Sequence, residues 1–159
     1  MTQRLNYAAA SPEAFKLFLA FSTALKSGAI ELPLLFLVEL RVSQINGCAF
    51  CVDMHSKQAT ILGERPLRLH HVAVWRESPL FSPRERAALA WAEALTTLPP
   101  HGVPDDVYEH ARSEFSEKEL ANLTFIVMAI NGWNRASVAF RSVPGSQDKA
   151  FGLDKANLA

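Results

Sequence analysis

A chain of 159 residues, 49% of them hydrophobic, is long enough to bury one core and too apolar to be disordered. Sixteen basic residues cancel sixteen acidic ones, so no net field favours nucleic acid or an anionic membrane surface. Two cysteines are too few for a disulfide scaffold, and the most apolar run, Ala29 to Leu40, is interrupted by Glu31, Pro33 and Glu39 and is too short to span a bilayer.

Met1 to Phe15 lacks an apolar stretch flanked by positive charge, so no secretory signal is expected there and a cytoplasmic location is the default. Ser11-Pro12-Glu13 announces the first helix, with a serine cap and a proline at the first helical position. Ala14, Phe15, Phe18, Leu19, Phe21, Ser22 and Leu25 then form a stripe of helical period that ends at Gly28. A second helix starts near Pro33. Leu34, Leu35, Leu37, Val38, Val42 and Ile45 leave it little polar face, which puts it at the centre of the core. Asn46-Gly47 breaks it. A third helix runs from about Cys48 to Leu62, closed by Gly63, and a fourth covers Pro66 to Trp75. The fifth opens on Ser82-Pro83-Arg84-Glu85, a cap, a proline and a capping-box glutamate, and continues to Leu95. Pro104 begins the sixth, which ends near Phe115. Ser116-Glu-Lys-Glu119 is a second capping box, and the seventh helix extends to about Phe140. No stretch alternates long enough to form a strand. The expectation is an all-α bundle of about seven helices over residues 1–145, followed by a C-terminal tail at 146–159 that a partner chain would order.

The chemistry concentrates in Arg41-Val-Ser-Gln-Ile-Asn-Gly-Cys48-Ala-Phe-Cys51-Val-Asp-Met-His55. A thiol attacks only as its thiolate, the minor form at neutral pH for a free cysteine. A helix N-terminus, a proton acceptor and a neighbouring thiol each favour ionisation, and this stretch supplies all three. At about 100° per residue, Cys48, Cys51 and His55 fall within roughly 60° of one helix face. Two other readings stand beside a redox dithiol: a pair of buried small hydrophobes, or two ligands of a zinc ion. Zinc wants four ligands, and the remaining candidates, His55 and the pair His70-His71, stand in no standard spacing, so no metal is expected. Asn131, Trp133 and Asn134 either surround the dithiol or close a buried helix end. Glu85 is expected as a cap, Glu93 as facing water or a pocket, and Arg84 and Arg86 as solvated.

Ser43 to His55 resembles the signature of the AhpD-like alkylhydroperoxidases, within the carboxymuconolactone decarboxylase superfamily. The likeness extends more weakly through Phe81 to Glu93 and Ala129 to Arg135. It implies an AhpD-like helical fold, assembly into trimers or hexamers, and reduction of hydroperoxides without metal or organic cofactor. An external thiol or lipoyl-type reductant would restore the dithiol. By the same resemblance Cys51 becomes the sulfenic acid, Cys48 resolves it to a disulfide, and His55 relays protons. Relatives carry a glutamate twelve residues before the first cysteine. Here that position is Phe36, and the nearby carboxylate is Glu39, one turn on. Glu39 either substitutes in the relay or pairs with Arg41 or another cation. The alternatives to a peroxidase are a general disulfide reductase, a redox-responsive module, and a muconolactone decarboxylase-like enzyme, whose chemistry does not need the dithiol.

Overall fold

The computed structural model describes residues 2–158; Met1 and Ala159, the outer ends of the expected domain and tail, lie outside the described residues. These residues form nine α-helices and no strand. In chain order they are α1 (Tyr7–Ala10), α2 (Pro12–Lys26), α3 (Leu32–Ile45), α4 (Ala49–Ile61), α5 (Pro66–His71), α6 (Pro83–Thr97), α7 (Asp105–Glu114), α8 (Glu117–Phe140) and α9 (Asp148–Phe151). The seven long segments of helical period are all present, and α1 and α9 are single turns added to them. Among the described residues no helix is long and apolar enough to cross a membrane.

α3 is the axis of the bundle. Nine of its fourteen residues are buried, because it packs on α4, α6 and α8 at once. Leu34, Leu35, Phe36, Val38 and Val42 belong to the main core, while Leu37 and Leu40 face a second cluster built by Val72, Trp75, Phe81 and Leu89. Both capping boxes are formed. Ser82 and Glu85 open α6, and Ser116 and Glu119 open α8. Glu119 is held down to about 2 by the Ser116 amide and hydroxyl and by Arg84, against a small burial penalty.

The fourth predicted helix tightens after His71 into a 3₁₀ turn, Val72–Val74. Val72 and Trp75 are both buried against α3, and a threefold turn brings residues three apart onto one line, which an α-turn does not. Arg84 and Arg86 correct their expectation: neither is solvated. Arg84 lies over the Phe115 ring and joins Glu31 to Glu119, while Arg86 donates to the carbonyls of Trp75, Arg76 and Ser78.

At the last residue of the expected domain, Gly145 N–H donates to Asp53 Oδ2 at 3.0 Å, and in the segment expected as a tail Asp148 Oδ2 lies 2.7 Å from Lys57 Nζ, which also pairs with Asp53. Beyond α9, a 3₁₀ turn at Leu153–Ala156 packs on α4 and buries Leu153 and Ala156. The helix that carries the dithiol is thus covered by the end of the chain.

α2 crosses α8 at Gly132, where an added Cβ would stand 2.5 Å from Phe18 Cζ. Phe18 is itself held against Trp133, with ring centroids 4.5 Å apart. Alanine at 132 would gain about 1 kcal/mol of helix propensity but force an overpacked contact costing about 1–3 kcal/mol. Gly132→Ala is expected to lower stability by about 1 kcal/mol in urea unfolding, the net of these two terms, and to loosen the α2–α8 contact.

Candidate functional site

The site begins at the corner between α3 and α4. Gly47 N–H donates to Gln44 O and Cys48 N–H to Ser43 O, at 3.2 and 3.0 Å, closing α3 in a Schellman turn. Gly47 has φ +65°, a conformation that strains any residue with a Cβ. That reversal makes Cys48 the N-cap of α4. Its sulfur takes the place usually held by a serine oxygen and accepts from Cys51 N–H at 3.4 Å.

Three amides from α8 and α3 lock the corner. Asn46 Nδ2 donates to Asn131 Oδ1 at 3.0 Å and to Asn134 Oδ1 at 2.9 Å. Asn134 Nδ2 donates in turn to Ser43 Oγ, and Asn131 Nδ2 to Thr96 Oγ1 and Val127 O. Asn134 is wholly buried. The two readings of these residues merge: they close the end of α3, and by doing so they set the position of Cys48. Trp133 points the other way and donates to Ser22 Oγ on α2.

Both cysteines are free and buried. Cys48 is lowered to about 7. The Cys51 thiol beside it is the largest cause, followed by opposing burial, the Cys51 N–H and the charge of His55. Cys51 is pushed up, first by its hydrogen bond to Cys48, then by burial and by the charge on Cys48. Asn134 and Ser137 pull weakly the other way on Cys51. Ionisation of the pair is therefore drawn toward Cys48, at the helix N-terminus.

His55 is buried one turn below Cys51. Its Nδ1 lies 2.8 Å from Gln58 Oε1 and 3.1 Å from Glu39 Oε2. The ring N–H aims at Gln58, and Glu39 Oε2 makes no well-aligned hydrogen bond although it stands at ion-pair distance. Glu39 offers Nδ1 only acceptor oxygens, while the Gln58 amide can offer either its oxygen or its hydrogens, so the pair favours a hydrogen on Nδ1. The expected pairing of Glu39 with Arg41 is not made, because Arg41 pairs with Glu93 at 2.6 Å. Of the two expectations for Glu93 the pocket holds: it lines a separate cavity with Arg41 and Arg76. Burial raises its pKa, and hydrogen bonds from Trp75, Arg76 and Arg41 overcome that and hold it low. His71 is bonded to Ser78 Oγ. Among the described residues no three of His, Cys, Asp and Glu gather as a metal-binding group.

A cavity of about 170 Å³ lies in front of these groups. Cys51, His55, Glu39 and Gln58 line it; Cys48 does not. Its walls are Tyr7, Phe15, Leu19, Phe50, Met54, Trp133 and Phe151, with Lys26 and Gln147 as further polar members. These walls come from α1, α2, α4, α8 and α9, so sequence patterning did not reveal them as one surface. Gln58 had a legible signal, since it stands three residues after His55 on the same helix.

Residues 12–94 match the carboxymuconolactone decarboxylase family. The chain is 38% identical over 139 residues to the protein YdfG of Bacillus subtilis, covering 87% of this chain and 95% of the relative. Its fold is similar to that of a protein of unknown function from Agrobacterium tumefaciens, solved as a candidate antioxidant-defence protein AhpD. There the identity is 45% and the TM-score 0.87, over 90% of this chain and 98% of that one. It is similar also to the alkylhydroperoxidase AhpD core of a peroxidase-related protein from Ralstonia eutropha. That match has 25% identity and a TM-score of 0.78, over 89% of this chain and 75% of the other.

Titration of the reduced protein by ultraviolet thiolate absorbance is expected to show one thiolate appearing with a midpoint at about 7. It should vanish as pH falls below that value, because the folded-state pKa is depressed. A second thiolate should appear only far above neutrality. Replacing Cys48 by serine should abolish the step near neutrality.

Proposed function

We propose a thiol-dependent peroxide reductase, and the premise is descent: the chain belongs to the carboxymuconolactone decarboxylase family. Its matches include an antioxidant-defence candidate and a peroxidase-related protein, which gives an enzyme of this general kind as the starting point. One observation carries the finer reading. The apolar cavity opens onto Cys51, while Cys48 sits beneath it at the helix N-terminus.

Access supports this division of roles. A peroxide entering the cavity meets Cys51 and not Cys48. The proton on Cys51 passes to His55 Nε2 or to the Cys48 sulfur, and the Cys51 thiolate attacks the terminal peroxide oxygen. The S–O bond forms as the O–O bond breaks, leaving Cys51–SOH and an alkoxide that takes the proton back from whichever group received it, His55 or Cys48. Cys48, already prone to ionise, then attacks the Cys51 sulfur and expels hydroxide, which leaves as water once protonated. The product is a Cys48–Cys51 disulfide, and an external dithiol or lipoyl-type reductant returns it to the resting state. Glu39 stands in for the carboxylate that relatives carry at the position of Phe36. Assembly into a trimer or hexamer belongs to the same reading, supported by the exposure of Leu17, Phe21, Phe125 and Met128 on α2 and α8.

With dithiothreitol or dihydrolipoamide as reductant, the protein is expected to consume alkyl hydroperoxides, and Cys51→Ser to abolish consumption. Dimedone should label Cys51 in the Cys48→Ser protein after one equivalent of peroxide. Label on Cys48 in Cys51→Ser, with none on Cys51 in the converse variant, would reverse the two roles. Peroxide turnover that survives replacement of both cysteines would remove thiol catalysis altogether.

Glu39→Gln is expected to lower kcat by about 10- to 100-fold, at the low end of what general acid–base groups supply, and to shift the pH profile of turnover. An unchanged rate and profile would remove Glu39 from the relay.

A further inference from the structure

The cavity in front of Cys51 carries information about what enters it. Its walls are aromatic and aliphatic, and a molecule as small and polar as hydrogen peroxide gains nothing from them. An apolar cavity of about 150 Å³ admits a benzene ring, so 170 Å³ sets the scale at one ring or a short chain. Lys26 is the one lysine or arginine on this wall among the described residues. It ends α2 with its ammonium 5.7 Å from the centroid of the Phe36 ring, and none of the ion pairs formed by the described residues uses it. The carboxylate on the same wall, Glu39, is turned onto His55 at 3.1 Å.

We propose that the cavity takes an amphipathic organic acid, with its ring or short chain on the aromatic wall and its carboxylate at Lys26. On the peroxide-reduction reading, on which the catalytic part of this inference rests, the ligand is an acid-bearing organic hydroperoxide whose peroxide group points to Cys51. Charge fixes that orientation. A carboxylate is repelled by Glu39 and attracted by Lys26, so the acidic end stays away from His55 and the opposite end reaches the thiol. Lys26 is exposed at the end of α2, and its ammonium, with no carboxylate partner among the described ion pairs, offers an incoming acid a counter-ion beside the aromatic wall.

The test compares two non-peroxidic probes of nearly equal shape, para-isopropylbenzoate and para-isopropylbenzyl alcohol, by calorimetry on the reduced protein. The benzoate is expected to bind about three- to tenfold more tightly, the range of a partly exposed to partly buried ion pair, and the preference should shrink as salt is added. Lys26→Met should bring the ratio to about one, and Lys26→Glu should reverse it. Equal binding of the two probes to the unaltered protein, or a preference that survives in Lys26→Met, would overturn the proposal. A second arm compares kcat/KM for cumene hydroperoxide and its para-carboxylate. Failure to turn over either peroxide would count against the peroxidase reading, while the binding ratio of the inert probes would still decide the ligand class.

Discussion

Both hydrogens of Asn46 Nδ2 are committed to acceptors on α8, Asn131 and Asn134, and the chemistry hangs from that clamp. It fixes the residue that caps the C-terminus of α3, the Gly47 reversal follows at once, and Cys48 has one place to go, the cap of α4. Moving the corner by a residue would rotate Cys48 by about 100° around the axis of α4 and take its sulfur off the Cys51 amide. Buried amides are costly unless they are all satisfied. Here Ser43, Thr96 and the Val127 carbonyl complete the set. A polar network inside an otherwise apolar bundle is thus the device that sets register for the dithiol.

The consequence of that register is a division of labour between two sulfurs only three residues apart. Burial alone would raise both pKa values and leave two inert thiols. The N-cap position breaks the symmetry. Cys48 receives the Cys51 amide and thiol and is drawn down, and Cys51 is driven up by the same contact. The easily ionised sulfur is the one hidden from the cavity, and the exposed wall belongs to the one that resists ionisation. In the proposed mechanism Cys51 therefore reacts once His55 or Cys48 has taken its proton.

Much of this was legible in the chain. Ser11-Pro12, Ser82 with Glu85, and Ser116 with Glu119 are local chemistry, so they marked helix starts that the fold keeps. The register of Cys48, Cys51 and His55 followed from helical geometry alone. What could not be read is what depends on neighbours remote in sequence. α1 and α9 are single turns too short to show a period, and they are held by tertiary contacts, Tyr7 on Phe140 and Asp148 on Lys57. Arg84 and Arg86 carry the residue type of a solvated face, yet each finds carbonyls or carboxylates on other elements. The cavity wall is assembled from five helices, and hydrophobic period tells which face of each is apolar without telling which faces meet.

The shift from a carboxylate at position 36 to one at 39 changes what the carboxylate can do. Glu39 approaches the δ-nitrogen of His55, a position it shares with Gln58. An amide can turn over and offer either its oxygen or its hydrogens, so Gln58 by itself permits both neutral tautomers of the ring. An ionised carboxylate can only accept. Its presence 3.1 Å away favours a hydrogen on Nδ1, the arrangement in which the proposed mechanism uses Nε2 as the acceptor of the Cys51 proton. In the proposed mechanism Glu39 also steadies the imidazolium that this transfer creates. On this account the carboxylate acts through the histidine instead of carrying the proton itself. That is why displacing it by one helical turn is compatible with the same thiol chemistry.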